Sequence, residues 1–272
     1  MRKFNITAAC SPDVHYMVDL HSRLCDIKGM IDDGQYFVIS RARQYGKTTI
    51  LNALEKFLSS DYIVVSLDFQ FLSREDFQDA SSFVAAFARE LWQIRSCRPY
   101  MSNEIQDRLN ALRNTQEKRY LLADLFECLS DWCDEAERAV VLMVDEVDSA
   151  SSNQVFLDFL SQLRGYYIHR DKRPTFQSVI LAGVHDIRNL RQKIRPDTEH
   201  KHNSPWNIAS RFDVDMSFSV KDIAGMLSDY ESDCHTRMNI SEIAQTLYEY
   251  TSGYPVLVSN MCKLMDEEIA GS

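Results

Sequence analysis

The chain has 272 residues, a length that accommodates one large domain or one domain with a small appendage. It contains 30 Lys or Arg and 40 Asp or Glu residues, which gives a formal net charge of −10. This acidic balance gives no overall electrostatic reason to expect a nucleic-acid-coating protein or a protein of anionic membrane surfaces. No apolar run approaches the roughly 18 residues of a membrane span, and the N-terminal sequence lacks the apolar core of a signal peptide, so we expect a cytoplasmic protein without membrane attachment.

The first predicted elements are a strand, a loop and a helix in direct succession. The β-rich run QYFVIS (residues 35–40) precedes the loop, and TTILNALEKFL behind it has its apolar residues on one helical face. Gly46-Lys47-Thr48 matches the end of a phosphate-binding loop, whose glycines let backbone N–H groups approach phosphate oxygens. Arg41 occupies the position of that motif's first glycine. Because a helix N-terminus adds its dipole to an anion site, the order of elements supports the phosphate-loop interpretation.

Strands and helices continue to alternate along most of the chain. YIVVSLDF, RAVVLMVDEVDSA and SVILAGV are typical of buried strands, and the segments between them have helical periodicity. The polar stretch 98–116 is expected to be a mobile loop, and FDVDMSFS (residues 212–219) alternates like an edge or half-buried strand. This order predicts an α/β fold with a covered, mainly parallel sheet joined by crossover helices.

The C-terminal residues are predicted to be helical. Asn239 is placed as an N-cap with Glu242 three residues later, which is the spacing of a capping box. Gly253 ends that helix, and Pro255 suits the first turn of the next one. We therefore expect a small helical subdomain after the last predicted strand.

The seven cysteines are scattered and include no CxxC pair that would chelate zinc or build a disulfide framework. Buried or unreactive thiols are the expected state of these residues. Cys234 and His235 are adjacent, and this spacing does not direct their side chains onto one metal ion.

Two acidic residues follow the apolar run VVLMV, and they complete the set of groups that phosphoryl transfer needs. That reaction uses a lysine on the β and γ phosphates, a hydroxyl and a carboxylate on Mg²⁺, and a group that orients the attacking water. Lys47, Thr48, Asp145 and Glu146 supply these groups next to predicted strand ends. Since ligands of open α/β sheets bind at the carboxyl ends of strands, the joint occurrence favours a nucleotide site over a chance loop match and a solvated acidic turn.

These motifs resemble those of the AAA-like P-loop ATPases of bacteria and archaea. That family lies within the additional-strand, catalytic-glutamate division, near the archaeal ATPases, the signal-transducing STAND proteins and the origin-recognition AAA+ modules. YFVISRARQYGKTTILNALEKFL is similar to its ISR-x-R-x-x-GK[ST] loop, in which an arginine commonly replaces the first glycine. VVLMVDEVD resembles its Walker B strand, VILAGVHDIRNL its sensor-1 strand, and SRFDVDMSFS with YTSGYPVLVSNMC its last strand and helical lid.

The resemblance covers nearly the whole chain and implies a three-layer αβα P-loop NTPase fold that binds ATP and Mg²⁺. It implies a P-loop ATPase core of residues 1–219, in which residues 1–34 form an adenine-side segment, and a helical lid of residues 220–272. Relatives often continue beyond the lid into another domain, so we expect this lid to be either a minimal form or a truncated one.

The resemblance also implies roles for individual residues. Lys47 is expected to neutralise the β and γ oxygens, Asp145 to hold the metal with Thr48, and Glu146 to polarise the attacking water. The expected nucleotide contacts come from Arg43, Gln44, Tyr45, Gly46, Lys47, Thr48, Thr49 and His185.

Several of these assignments have an ordinary structural alternative. Arg41 and Arg43 either point at phosphate, pair with acidic groups or cover the surface. His185, just after ILAGV, either reads the γ-phosphate or is a common loop residue. Arg211 either acts as a catalytic arginine finger, in the same molecule or in a self-associated neighbour, or forms a surface salt bridge.

Three other segments have the same ambiguity. Residues 15–20 and Tyr254-Pro255 either contact adenine or only pack within the protein. The basic cluster in DIRNLRQKIRP is either a solvated helix face or a contact for a partner or nucleic acid. Its members are Arg188, Arg191, Lys193 and Arg195.

The function that follows from these assignments is Mg²⁺-dependent ATP hydrolysis that drives a conformational change. One alternative is an ATP-binding interaction module that hydrolyses ATP negligibly and works as a switch or scaffold. A less favoured alternative is a P-loop kinase of a metabolite, for which the sequence has no recognisable acceptor motif. The expected partners are ATP, a protein or a second copy through Arg211, and, with weaker support, nucleic acid.

Overall fold

The structure, a computed structural model, describes residues 2–114, 118–185 and 206–269. The chain forms two compact units. The first unit contains Met1–Ile27, Ala42–Leu54 and Asp213–Ser272, and the second contains Lys28–Arg41 and Glu55–Phe212.

The described residues form strands and α-helices in an alternating order. The strands are β1 (Phe37–Ser40), β2 (Ile63–Asp68), β3 (Val140–Asp145) and β4 (Ser178–Gly183). The helices are α1 (His21–Asp32), α2 (Lys47–Leu58), α3 (Ala80–Gln93), α4 (Asn103–Leu112), α5 (Leu122–Glu135), α6 (Gln154–Ile168), α7 (Val220–Cys234), α8 (Ile240–Thr251) and α9 (Pro255–Leu264). Within the described ranges, no helix has both the length and the apolar character needed to cross a membrane.

The sheet belongs to the second unit, and its strands are parallel in the order β1-β4-β3-β2. Every residue of β3 and β4 is buried, as expected for strands of a parallel sheet that is covered on both faces. Strand β4 lies between β1 and β3, which is the additional strand that the sequence resemblance implies. The predicted three-layer α/β fold is confirmed, and the carboxyl ends of the strands share one edge.

An aromatic cluster packs helices α3, α5 and α6 of the second unit together. The ring of Phe159 on α6 lies 5.3 Å from that of Phe83 on α3 and 5.4 Å from that of Phe126 on α5. All three side chains are almost completely buried, and aromatic pairs at such distances stabilise a core beyond their area alone. These contacts hold the helices that cover one face of the sheet.

The prediction of a loop over residues 98–116 is wrong where helix α4 forms. Ser102 caps this helix by accepting a hydrogen bond from the N–H of Ile105 at 3.2 Å. Ile105, Leu109 and Leu112 are buried at helical spacing, while most of the residues between them are polar. The apolar face of α4 is narrow, and the polar composition conceals it in the sequence.

The prediction of a strand over residues 212–219 is also wrong, because the structure has no strand there. Just before this segment, Ser210 forms an isolated bridge with Phe37 of β1, and its N–H donates to the carbonyl of Tyr36 at 2.7 Å. The N–H of Ser217 donates instead to Asp215 Oδ1 at 2.9 Å. The alternation in the sequence therefore reflects one-sided burial of an extended segment, not its pairing in a sheet.

In the first unit, N-terminal residues pack with helices α7 to α9. The rings of Phe4, Tyr16 and Tyr230 form a trio with centroids 4.9 to 5.3 Å apart. Arg2 lies 3.1 Å from the carboxylates of both Asp229 and Asp233. These contacts hold the N-terminal segment on α7, and the domain boundary expected at residue 219 stays a prediction.

The connection between α8 and α9 has the predicted signals. The side chain of Asn239 accepts a hydrogen bond from the N–H of Glu242 at the start of α8, and Pro255 begins α9. Gly253 between these helices has a φ of +71°, and its carbonyl accepts from the N–H of Phe218 at 2.8 Å. A Cβ at Gly253 would lie 2.0 Å from the carbonyl oxygen of Phe218.

We expect Gly253→Ala to lower the free energy of unfolding by at least about 3 kcal/mol, because the methyl group meets a main-chain oxygen at a left-handed backbone position. Gly225→Ala is the matched control, since Gly225 lies on α7 with no atom within 4 Å of an added Cβ. That change should stabilise the helix by about 0.5–1 kcal/mol. Thermal and urea unfolding followed by circular dichroism would contradict this account if the two variants were equally stable.

Candidate functional site

The loop between β1 and α2 has backbone conformations that suit anion binding. Gln44 has a φ of 59° and Gly46 a φ of 81°, and α2 begins directly afterwards at Lys47. Alternation of left-handed and right-handed residues turns successive N–H groups towards a common point, and the first turn of a helix adds N–H groups that the helix itself does not use. A left-handed Gln is uncommon, and such outliers concentrate at functional sites.

Lys47 is folded back across this loop. Its side chain is buried, with only 6% of the residue exposed, and its Nζ donates a hydrogen bond to the carbonyl of Ala42 at 3.1 Å. Thr48 is exposed, whereas the hydroxyl of Thr49 accepts from the N–H of Cys10 at 3.0 Å. The loop therefore closes around the ammonium group of Lys47. The hydrogen bond from Cys10 to Thr49 joins the N-terminal segment to the start of α2.

Tyrosines join the loop to other parts of the first unit. Tyr254, just before α9, donates its hydroxyl to the carbonyl of Arg43 at 2.6 Å. Its ring meets that of Tyr45 edge to face at 4.7 Å, and the Tyr45 hydroxyl is 2.7 Å from that of Ser217. The sequence motif singled out Tyr45 and Tyr254 separately, but nothing in it indicated that they form a pair.

Arg41, which replaces the first glycine of the loop motif, belongs to the second unit. Its guanidinium carbon lies 5.5 Å from the ring centroid of Phe212, and that ring stacks on Phe37 of β1. Its Nη1 donates to the carbonyl of Ser40 at 3.0 Å, and its backbone N–H donates to Gly183 at 3.1 Å. These contacts anchor Arg41 at the carboxyl end of β1.

Asp145 and Glu146 lie where β3 ends. Asp145 is buried at 6% exposure, and its Oδ1 accepts from the N–H of Glu146 at 2.9 Å. Glu146 has left-handed angles, φ 52° and ψ 38°, which cost a non-glycine residue about 1–3 kcal/mol. Ser149 holds this conformation because both its N–H and its hydroxyl donate to the carbonyl of Glu146, at 3.2 and 2.9 Å.

A further carboxylate, that of Asp68, ends the neighbouring strand β2 and pairs in register with Asp145. Burial raises the pKa of Asp68, the N–H of Gln70 lowers it, and the negative charge of Asp145 raises it further. Asp68 was not among the residues predicted from the sequence, although its place at the end of the apolar run YIVVSL is a visible signal.

The segment after β4 is bonded to the turn after β3. His185 is exposed, and its N–H donates to Asp148 Oδ1 at 3.0 Å. The N–H of Val184 donates to the other carboxylate oxygen of Asp148. Arg211 is exposed and follows the bridge residue Ser210.

The structure thus brings the predicted residues together in two groups. Arg43 to Thr49 lie with Tyr254 in the first unit, whereas Asp145, Glu146, His185 and Arg211 belong to the second. The basic cluster of Arg188, Arg191, Lys193 and Arg195 lies outside the described residues.

Each unit offers an oxygen donor of a type that suits magnesium. Thr48 and Asp145 offer hydroxyl and carboxylate oxygens, which Mg²⁺ prefers as ligands. The part of the chain that the structure describes contains no cluster of three or more His, Cys, Asp or Glu side chains that would hold a metal ion. Mg²⁺ usually binds through one or two protein ligands together with substrate phosphates, so it does not need such a cluster.

Comparison with known proteins gives one family. No protein of curated function matches the sequence. Among solved structures, the Orc1 protein of Aeropyrum pernix, determined in complex with DNA, is 11% identical with a TM-score of 0.48. The match covers 92% of this chain but 60% of the Orc1 chain, so the protein spans less than two thirds of that relative. The family model for an AAA-like domain matches residues 18–270, and on this match the chain belongs to the AAA-like domain family.

Proposed function

We propose that the protein binds ATP with Mg²⁺ and hydrolyses it to drive a conformational change. The observation that carries this proposal is the loop before α2, which closes around the Lys47 ammonium and turns left-handed at Gln44 and Gly46. In a member of the AAA-like family, a loop with this conformation and sequence is best explained as a phosphate site.

The loop supplies the phosphate-binding groups. Backbone N–H groups from Gln44 to Thr49 donate to phosphate oxygens, aided by the positive end of the α2 dipole. Lys47 exchanges the carbonyl of Ala42 for the β and γ oxygens of the nucleotide. The exposed side chain of Arg43 is available to the same anion. These groups act by position and charge, which is where most of the catalysis of phosphoryl transfer lies.

The metal-binding and catalytic roles fall to other residues. Thr48 and Asp145 would hold Mg²⁺, which when bound would neutralise charge that develops on the phosphate oxygens. The N–H of Glu146 donates to Asp145 and fixes that carboxylate. Glu146 orients the attacking water and accepts its proton, and its left-handed backbone, held by Ser149, fixes the direction in which the side chain leaves the chain.

A conformational output is supported by the tyrosine contacts of the first unit. Tyr254 bonds the carbonyl of Arg43, and Tyr45 bonds Ser217, so a change in the loop alters contacts of the segments that lead into α7 and α9. Tyr254 also remains our candidate for closing over the adenine base. Tyr16 and Val18 are buried in the core around α7, which favours packing over nucleotide contact for residues 15–20.

The expected location and partners remain part of the proposal. All seven cysteines are free thiols, as is usual in a reducing compartment, and we therefore retain the cytoplasm. Arg211 is exposed, which suits the role of an arginine finger towards a second copy. His185 follows β4 directly and is our candidate for sensing the γ-phosphate. Nucleic acid, bound through the cluster of residues 188–195, is the partner with the least support among those proposed.

We expect Glu146→Gln to lower ATP turnover at least about 100-fold and to change the Kd for ATP by less than about threefold, because only the acceptor for the water proton is lost. Lys47→Ala should instead weaken ATP binding by more than about tenfold. Phosphate release and nucleotide binding are measured on the same samples.

Glu249→Gln is the matched control, since this carboxylate is exposed on α8 and accepts a hydrogen bond from the side chain of Gln245. Equal turnover in Glu146→Gln and wild type would remove Glu146 from its role. Binding without turnover in the wild type would replace the hydrolase by an ATP-dependent switch.

If Arg211 acts on a second copy, turnover per molecule should rise with protein concentration, and Arg211→Ala should lower it at least about tenfold at high concentration. Arg95→Ala serves as the control, because Arg95 is exposed just beyond α3. A turnover number that is independent of concentration, and equal in the two variants, would contradict the arginine-finger role.

A further inference from the structure

Asp148 joins two segments that follow different strands. It lies two residues after Glu146, in the single turn of 3₁₀-helix at Val147–Ser149. One oxygen of its carboxylate accepts the N–H of His185 at 3.0 Å, and the other accepts the N–H of Val184. Hydrogen bonds to a carboxylate are roughly twice as strong as those between neutral groups, so the two main-chain donors are held firmly.

The end of β4 is shaped to receive this carboxylate. Gly183, the last residue of β4, has no side chain, and a Cβ there would lie 2.8 Å from Asp148 Oδ2. The same Cβ would lie 3.1 Å from Cγ2 of Val147, which is buried. Because real Cβ atoms essentially never come as close as 2.8 Å, a side chain at position 183 would displace the carboxylate of Asp148 from its present place.

The turn that carries Asp148 is also held from its other side. The hydroxyl of Ser149 lies 3.3 Å from the carbonyl of Phe69, the residue after β2. On the far side of β4, the hydroxyl of Ser40 donates to the carbonyl of Val184 at 3.2 Å. Asp148 is thus the central link in a row of side-chain contacts that runs across the carboxyl ends of β2, β3, β4 and β1.

We propose that Asp148 is a positioning residue that locks the turn carrying Glu146 to the segment carrying His185. This inference rests on the proposed function, because it matters for turnover only if Glu146 acts on the attacking water. Asp148 does not itself touch the nucleotide in this scheme. Its loss frees the turn after β3, so Glu146 spends less time in the productive orientation while the phosphate loop is unchanged.

The first experiment tests the link itself and needs no ATP. In the ¹⁵N-labelled 272-residue chain, the amide protons of Val184 and His185 should resonate downfield and exchange slowly. Asp148→Asn keeps the shape of the side chain but replaces one acceptor oxygen by a donor. At least one of these amide protons should therefore lose its downfield chemical shift and its protection from hydrogen exchange. Asp158→Asn is the matched control, because Asp158 is exposed on α6 and accepts from Gln154. Amide signals that do not change in Asp148→Asn would overturn the link.

The second experiment tests the positioning role. Asp148→Asn should lower kcat about tenfold or more and leave the Kd for ATP within about threefold of the wild type. Gly183→Ala, which displaces an intact Asp148 side chain, should likewise lower kcat and leave the Kd for ATP almost unchanged. Melting temperatures identify a variant that has merely lost its fold, and Asp158→Asn should match the wild type throughout.

The outcomes separate this inference from the proposed function. If Asp148→Asn changes the amide signals of Val184 and His185 but leaves kcat unchanged, the positioning role is overturned and the proposed ATPase function still stands. A loss of ATP affinity equal to the loss of kcat would overturn it too, since that result indicates a binding or folding defect. A wild type without turnover would overturn the proposed function and the catalytic role of Asp148 together, and the amide signals would still decide whether the link exists.

Discussion

Parallel pairing of β1, β4 and β3 is the constraint on which the second unit depends. Strands that run in one direction end at one edge of the sheet, where each chain must turn away and its last main-chain groups need new partners. The N–H of Arg41 donates to the carbonyl of Gly183, and the N–H groups of Val184 and His185 donate to the carboxylate of Asp148. Hydrogen bonding therefore continues past the ladder, and the edge is a connected rim instead of a set of independent loops.

Each unit has a non-glycine residue in a strained left-handed conformation, and each of these residues lies in a segment for which we propose a role in ATP binding or hydrolysis. Gln44 has this conformation in the phosphate loop, and Glu146 has it directly after β3. Such residues persist only where the surroundings over-determine them. The loop is closed by the bond from Lys47 to Ala42, and the carbonyl of Glu146 accepts twice from Ser149. In each unit, the strained residue and the hydrogen bonds that restrain it therefore occur together.

The sequence was most informative where one physical requirement dominated. Burial on both faces made β3 and β4 continuous apolar runs, and the loop motif identified Gly46 and Lys47 without reference to other segments. Helix α4 was missed because its buried residues are few, and the strand expected at residues 212–219 was wrong because alternation reports burial and not pairing. Asp148 was not identified because its partners are backbone N–H groups more than 30 residues away, and backbone groups leave no mark in a sequence.

The bond between Lys47 and Ala42 has a consequence for how tightly the loop retains a ligand. A buried ammonium without a partner is costly, so a loop that offered none would hold phosphate strongly and release it slowly. In the proposed phosphate site, the carbonyl of Ala42, which lies 3.1 Å from the ammonium, would take the place of a phosphate oxygen while the site is empty. Entry and departure of phosphate would then exchange one acceptor of the ammonium for another, and the affinity would measure only the free-energy difference between the two. A smaller difference would mean weaker retention of the product phosphate.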